Sequence, residues 1–229
     1  MAVQTVDGVF GQAWKLLKSN FSIVVPGLVI GALEGLLEGI FAPSPDASGA
    51  GAAFGSLIAS VVGLIGAILS IAYTTGMAAA AWRTGRATFG DGAEAFKREG
   101  GHIFVALVGL TLIGTAAAFL AAFTFGLSIV AFGFFCIYVM PSAIVGEREG
   151  FAAIAESAKI AYERVGPTLL IILVMFALAV AGAFGAAFFA FIPFLGPIVA
   201  AVIVETVLAY FTLVVVGEYL ALRKPDSVA

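Results

Sequence analysis

The chain has 229 residues, 62% of them hydrophobic and 11% charged, with a formal net charge of −3 and a mean hydropathy of +1.14. So small a polar fraction cannot cover that much apolar side chain in water, which excludes a soluble globular domain and points to an all-α integral membrane protein. A single cysteine, Cys136, and a single histidine, His102, exclude an intramolecular disulfide and a multi-histidine metal site.

The first twenty residues alternate polar with apolar positions and hold no continuous apolar core, so no cleavable signal peptide is expected. Between Val6 and Phe21 the apolar residues Val6, Val9, Phe10, Ala13, Trp14, Leu17 and Phe21 recur at helical spacing, with Asp7, Gln12, Lys15, Lys18 and Ser19 on the other face. Such a helix either lies along the membrane surface, with Trp14, Lys15 and Lys18 in contact with lipid, or packs onto the cytoplasmic ends of the bundle. The first span, Phe21 to Phe41, contains PGLVIGALEGLLEG. In it Gly27, Gly31, Gly35 and Gly39 stand four apart and form a bare ridge for a neighbouring helix. Glu34 and Glu38 each precede a ridge glycine, about 100° round the helix from it.

Residues 42–53, with Pro43, Pro45 and Asp46, read as a loop. A second span follows from Phe54 to Trp82, and its small residues Gly55, Ala59, Gly63 and Ala67 make it the expected partner of the glycine ridge. Arg83 to Gly101 is polar; the third span runs from His102 to Thr124 and the fourth from Gly126 to Val145. Gly146 to Gly166 is again amphipathic. Phe151, Ile154, Ala158, Tyr162 and Val165 fall on one side, with Glu149, Glu156, Lys159 and Glu163 largely on the other, and Lys159 joins the expected lipid contacts. The fifth span is Pro167 to Ile192, Pro193 to Pro197 forces a turn, and the sixth is Ile198 to Leu222.

With these spans, all eleven lysines and arginines fall on one side of the membrane. The positive-inside rule then predicts six spans in the cell (inner) membrane with both termini cytoplasmic. The order of surface helix and two spans also recurs over residues 6–82, 87–146 and 149–222 of one membrane domain, aligned on Ala13-Trp14-Lys15, Ala95-Phe96-Lys97 and Ser157-Ala158-Lys159. The expectation is three parallel hairpins, each preceded by a cytoplasmic amphipathic helix, unlike the inverted halves of many transporters.

The stretch FFCIYVMPSAIVGEREGFAAIAESAKIAYERVGPTLLIIL, Phe134 to Leu173, resembles small prokaryotic polytopic membrane proteins related to the membrane domain of glycerophosphoryl diester phosphodiesterases. Pro141 closing a span, Glu147 and Gly150 in the turn, and Ala155 and Ser157 in the next helix carry the resemblance, and Gly11 to Phe21 echoes it. It implies a membrane module without the separate catalytic domain of the fused proteins.

Ionisable groups inside a bilayer are costly and are functional candidates by default. Glu34 and Glu205 both lie seven residues from the outer ends of their spans, roughly 10 Å deep at the helical rise. If the first and sixth spans adjoin, Glu34, Glu38 and Glu205 form an outward-facing acidic site, with Thr206 and Tyr210 adding oxygens. A proton, a metal cation or an amine-bearing ligand then compensates the charge, or the acids are neutral structural groups. Glu218 reads as an interface residue near Arg223 and Lys224, and His102 as a solvated or capping residue. Neither HExxH, GxSxG nor a phosphate-binding glycine loop occurs, so no enzyme, cofactor or nucleic-acid partner is expected. Two functions remain open: a non-enzymatic module organising membrane lipids, a partner protein or a homo-oligomer through its surface helices, and a transporter or channel using the acidic site.

Overall fold

A computed structural model describes residues 6–41, 50–189, 191–192 and 195–223, and is 89% helix with no strand among them. Helix α1 (Val6–Ser19) and a tight helical turn at Phe21–Val24 lead into α2 (Val25–Phe41). The chain bends through 91° between residues 8–19 and 21–33. Asn20 holds that corner: its side-chain amide donates to the carbonyls of Leu16 and Gly85, both at 3.1 Å, and its oxygen accepts from Ala87 N–H at 2.8 Å. The corner is thereby fixed to the connection between α3 (Ala50–Thr84) and α4 (Phe89–Ala121).

A capping box starts α4, with Thr88 N–H donating to Asp91 at 2.7 Å and Asp91 N–H donating back to the Thr88 hydroxyl. The helix then runs unbroken for 33 residues, about 50 Å. Residues 89–101 are therefore its first turns and not a separate surface helix, which corrects the expected middle copy of the repeat. The reason is packing: Ala95, Glu99, Ile103 and Ala106 form one buried stripe that carries the helix through Gly100 and Gly101.

The fourth expected span is broken into α5 (Leu127–Cys136) and α6 (Val139–Ile144). Pro141 has no N–H to offer the carbonyl four residues back, and its ring crowds that position. Ser157 on α7 (Gly150–Glu163) fills the break: its hydroxyl donates to Phe135 C=O at 2.7 Å and accepts from Tyr138 N–H at 3.0 Å. Helices α8 (Val165–Phe189) and α9 (Leu195–Arg223) complete the bundle. Among the described residues four stretches are long and apolar enough to cross a membrane, namely Phe89–Ala121, Leu127–Ile144, Val165–Phe189 and Leu195–Arg223, and the bent pair at 8–33 makes a fifth if it is one span. The second expected span falls in α3, where residues 50–62 contribute no described side chain.

Packing is concentrated at one end. The buried residues of α9 run from Leu213 to Tyr219, those of α3 include Met77, Ala78 and Ala81, and Val9, Ala13 and Leu17 of α1 close over them. Glycines set the spacing here. Trp82 lies flat on Gly217, where any side chain would strike its indole, and its ring N–H donates to Leu213 C=O at 2.7 Å. Gly76 similarly meets Ala95 and the backbone of Asp91, and Gly92 meets Tyr73. The glycine ridge of α2 behaves otherwise. Gly27 receives the Glu205 side chain, Gly31 and Gly63 face open space, and Gly35 and Gly39, with Gly55, Ala59 and Ala67 opposite, lie outside the described side chains. Backbone-to-backbone contact along the ridge is thus absent at its described positions, because a side chain of α9 occupies the first groove and a cavity the next.

Overpacking costs ~1–3 kcal/mol in a filled site. Gly217→Ala is accordingly expected to lower the melting temperature of the purified protein by several degrees, whereas Gly63→Ala, with nothing near its added methyl group, leaves it unchanged.

Candidate functional site

Glu205 stands ten residues into α9, about 15 Å from its start. Its carboxylate rests on Gly27 of α2, so α2 and α9 are neighbours, but the contact stands seven residues, about 10 Å, along α2 from Glu34 and not level with it as expected. A cavity of about 790 Å³ opens beside it between α2, α3, α5, α8 and α9. Most of its wall is apolar, including Ile30, Phe134, Met140, Met175 and Phe176. Among the described lining residues Glu205, Ser70, Thr74, Thr75 and Thr212 supply side-chain oxygens, and none is lysine, arginine or histidine. Cys136 also lines it, half buried.

The remaining expected ligands are elsewhere. Thr206 returns its hydroxyl to Val202 C=O at 2.6 Å, and Tyr210 donates to Phe10 C=O at 3.1 Å while packing edge-on to Trp14. Neither lines the cavity. One residue step turns a helix by about 100°, so Thr206 and Tyr210 cannot share the face of Glu205. The side chains of Glu34 and Glu38 lie outside the described residues. Among the described residues no three of His, Cys, Asp and Glu gather as a metal-ligand set.

At the packed end the charges are organised into two clusters that residue spacing did not reveal. In the first, Glu156 of α7 accepts from Arg148 at 3.1 Å and Arg223 at 3.0 Å, and from the Ser142 hydroxyl, while Arg223 also donates to Gly146 C=O at 3.2 Å. In the second, Glu99 is buried and pairs with Arg98 at 2.8 Å and His102 at 3.1 Å, and Arg98 reaches Glu147 at 3.4 Å. His102 thus holds a buried carboxylate while its own side chain stays partly in solvent. Glu218 is only 4% exposed, so protein surrounds it at the packed end of α9. Of the expected lipid contacts, Trp14 is 49% exposed beneath the Lys18 ammonium, Lys15 is exposed, and Lys159 pairs with Glu163 at 3.9 Å. Lys224 lies outside the described residues.

Burial alone pushes the Glu156 carboxyl up, but the hydrogen bonds from Ser142 and Arg223 and the charges of Arg223 and Arg148 hold it below the ordinary glutamate value of 4.5. A folded-state value below the unfolded one stabilises the protein above the unfolded value, and the contribution is lost as pH falls through the folded one. Replacing Glu156 with Gln should therefore cost roughly 1–3 kcal/mol at neutral pH, measured by thermal melting, and the gap to wild type should close in acid below the usual carboxylate range. Comparison with known proteins finds no matching family model, no matching curated protein and no matching solved structure.

Proposed function

We propose that the chain is a non-enzymatic, six-span membrane module with cytoplasmic termini that organises lipids at the cytoplasmic leaflet through α1 and α7. One observation carries this reading: both helices bury one stripe in the bundle and leave aromatic side chains exposed beside it. On α1 the stripe is Val9, Ala13, Leu16 and Leu17, with Trp14 exposed alongside, Lys15 and Lys18 further round, and Phe21 exposed just past the corner. On α7 the stripe is Gly150, Ala153, Ser157 and Ala161, with Phe151 and Tyr162 exposed at 61% and 75% and Lys159 beyond them. A helix with three faces, protein, aromatic and charged, suits the boundary between headgroups and water. The arginines and lysines of these elements also gather with Arg83, Arg98 and Arg223 at one end, since Asn20, Arg98 and Arg223 link the connections there. That clustering supports the cytoplasmic assignment and attraction to anionic lipid. The resemblance of Phe134 to Leu173 to phosphodiesterase membrane domains is in keeping with a module that does no chemistry of its own.

A second reading is a transporter or channel with an outward-facing acidic cation or proton site, favoured by the seating of Glu205 against Gly27. Proton or cation flux in liposomes that vanishes in Glu205→Gln is its expected result, and no flux in the wild type removes it.

The lipid reading is tested with brominated lipids. Headgroup-proximal bromines should quench the wild-type tryptophan emission at least about twofold more than deep ones, by the fraction that Trp14→Phe abolishes. Anionic lipid should raise that quenching, and Lys15→Glu with Lys18→Glu should remove the rise. Emission from Trp14 that no lipid alters would defeat the proposal.

A further inference from the structure

We infer that the cavity beside Glu205 binds a long-chain amphiphile with a protonated amine head, the chain lying among Phe134, Met140 and Met175 and the ammonium against the Glu205 carboxylate. The inference is independent of the lipid contacts of α1 and α7, and either can fail without the other.

Size and lining come first. A cavity of about 790 Å³ lies within the range of ~300–1,000 Å³ typical of small-molecule sites, which are mostly apolar with a few placed polar groups. The mouth identifies the route of entry. Ile71, Val130, Phe176 and Leu208 line the cavity and are among the exposed apolar side chains, so the cavity opens at an apolar surface that hydrocarbon covers in a membrane protein of this composition. A ligand therefore enters from the bilayer and must be largely apolar itself.

Charge then selects the head. Among the described lining residues Glu205 is the one acid and none is cationic, so a phosphate or carboxylate head meets repulsion there and no partner. An ammonium instead meets a carboxylate of opposite charge, and such charge-assisted hydrogen bonds are the strong ones. A carboxylate offers about four acceptor sites, so the ammonium adds to the interactions Glu205 already makes. Its other N–H groups face a wall carrying the hydroxyls of Ser70, Thr74 and Thr75. Gly27 makes the arrangement possible, because any side chain there would displace the carboxylate.

The test uses the full chain in phosphatidylcholine nanodiscs with photoreactive hexadecylamine, hexadecanol and hexadecanoic acid, mapping labelled residues by mass spectrometry. The amine should label Phe134, Met140 and Met175 roughly tenfold more than the acid does, and excess unlabelled hexadecylamine should compete. Glu205→Gln should bring amine labelling down to the alcohol level without changing the alcohol's own labelling, which shows the cavity intact. Glu205→Asp should keep the preference. Gly31→Leu, which projects into the cavity from a position with open space, should reduce labelling by the amine and the alcohol alike. Equal labelling of the cavity and of the outward-facing Phe119 and Phe184, or amine labelling indifferent to Glu205→Gln, overturns the inference.

Discussion

Close approach of helix backbones at one end of the bundle governs the rest of the structure. Trp82 on Gly217, Gly76 against Ala95, and Gly92 against Tyr73 bring α3, α4 and α9 within reach of one another where a methyl group would already collide. Once these helices converge, the apolar stripe of α1 can close over α9, and the Glu156 carboxylate comes within bonding distance of Arg223 on α9 and of Arg148 in a connecting turn. Among the described residues nothing comparable draws the opposite end together. There Phe119, Phe123, Phe184 and Phe188 stand outward and α5 buries no residue. In a bilayer, where lipid is as apolar as the side chains, that end gains little from closing further. The cavity between α2, α5, α8 and α9 is the geometric result.

Much of the helical layout could be read from the sequence, because long apolar runs separated by prolines and charges leave few alternatives. Period alone also indicated the α1 stripe, although it could not decide whether protein or lipid covers it; Val9, Ala13 and Leu17 are covered by protein. The errors have specific causes. Residues 89–101 are polar enough to read as a surface segment, yet α4 is continuous because its packing face, Ala95, Glu99 and Ile103, runs through the glycines. On α7 the period picks out the large apolar residues on one side, whereas the face packed on the bundle is lined with the small residues that a close crossing selects. Gly150 meets Val105, and Ala153 and Ala161 are buried, while Phe151 and Tyr162 stay outside.

The candidate site was legible in one residue of the three that could be followed. Glu205 stood out because a carboxylate in an apolar run has few structural excuses, and its pairing with the first span followed from a closed bundle. Thr206 and Tyr210 were grouped with it by proximity in sequence, which on a helix is a poor guide to facing direction. Depth in the membrane can be counted from the chain, but rotation about the helix axis depends on neighbours that the chain does not name. The Glu156 cluster illustrates the same limit. Its members Ser142, Arg148 and Arg223 come from a helix end, a loop and another helix end, so no local pattern joins them.

The break between α5 and α6 bears on how the protein is made. Until Ser157 reaches it, the carbonyl of Phe135 and the N–H of Tyr138 lack the partner they have in the finished bundle, a debt of several kcal/mol in hydrocarbon. Ser157 leaves the ribosome after the whole of that segment has been synthesised. The segment is therefore poorly suited to settle alone in lipid as it emerges, and is better held in a wetter setting, at the insertion machinery or near the headgroups, until the following helix docks. Membrane integration of this part of the chain then proceeds as a unit of span and surface helix together, and the order of synthesis becomes part of the folding problem.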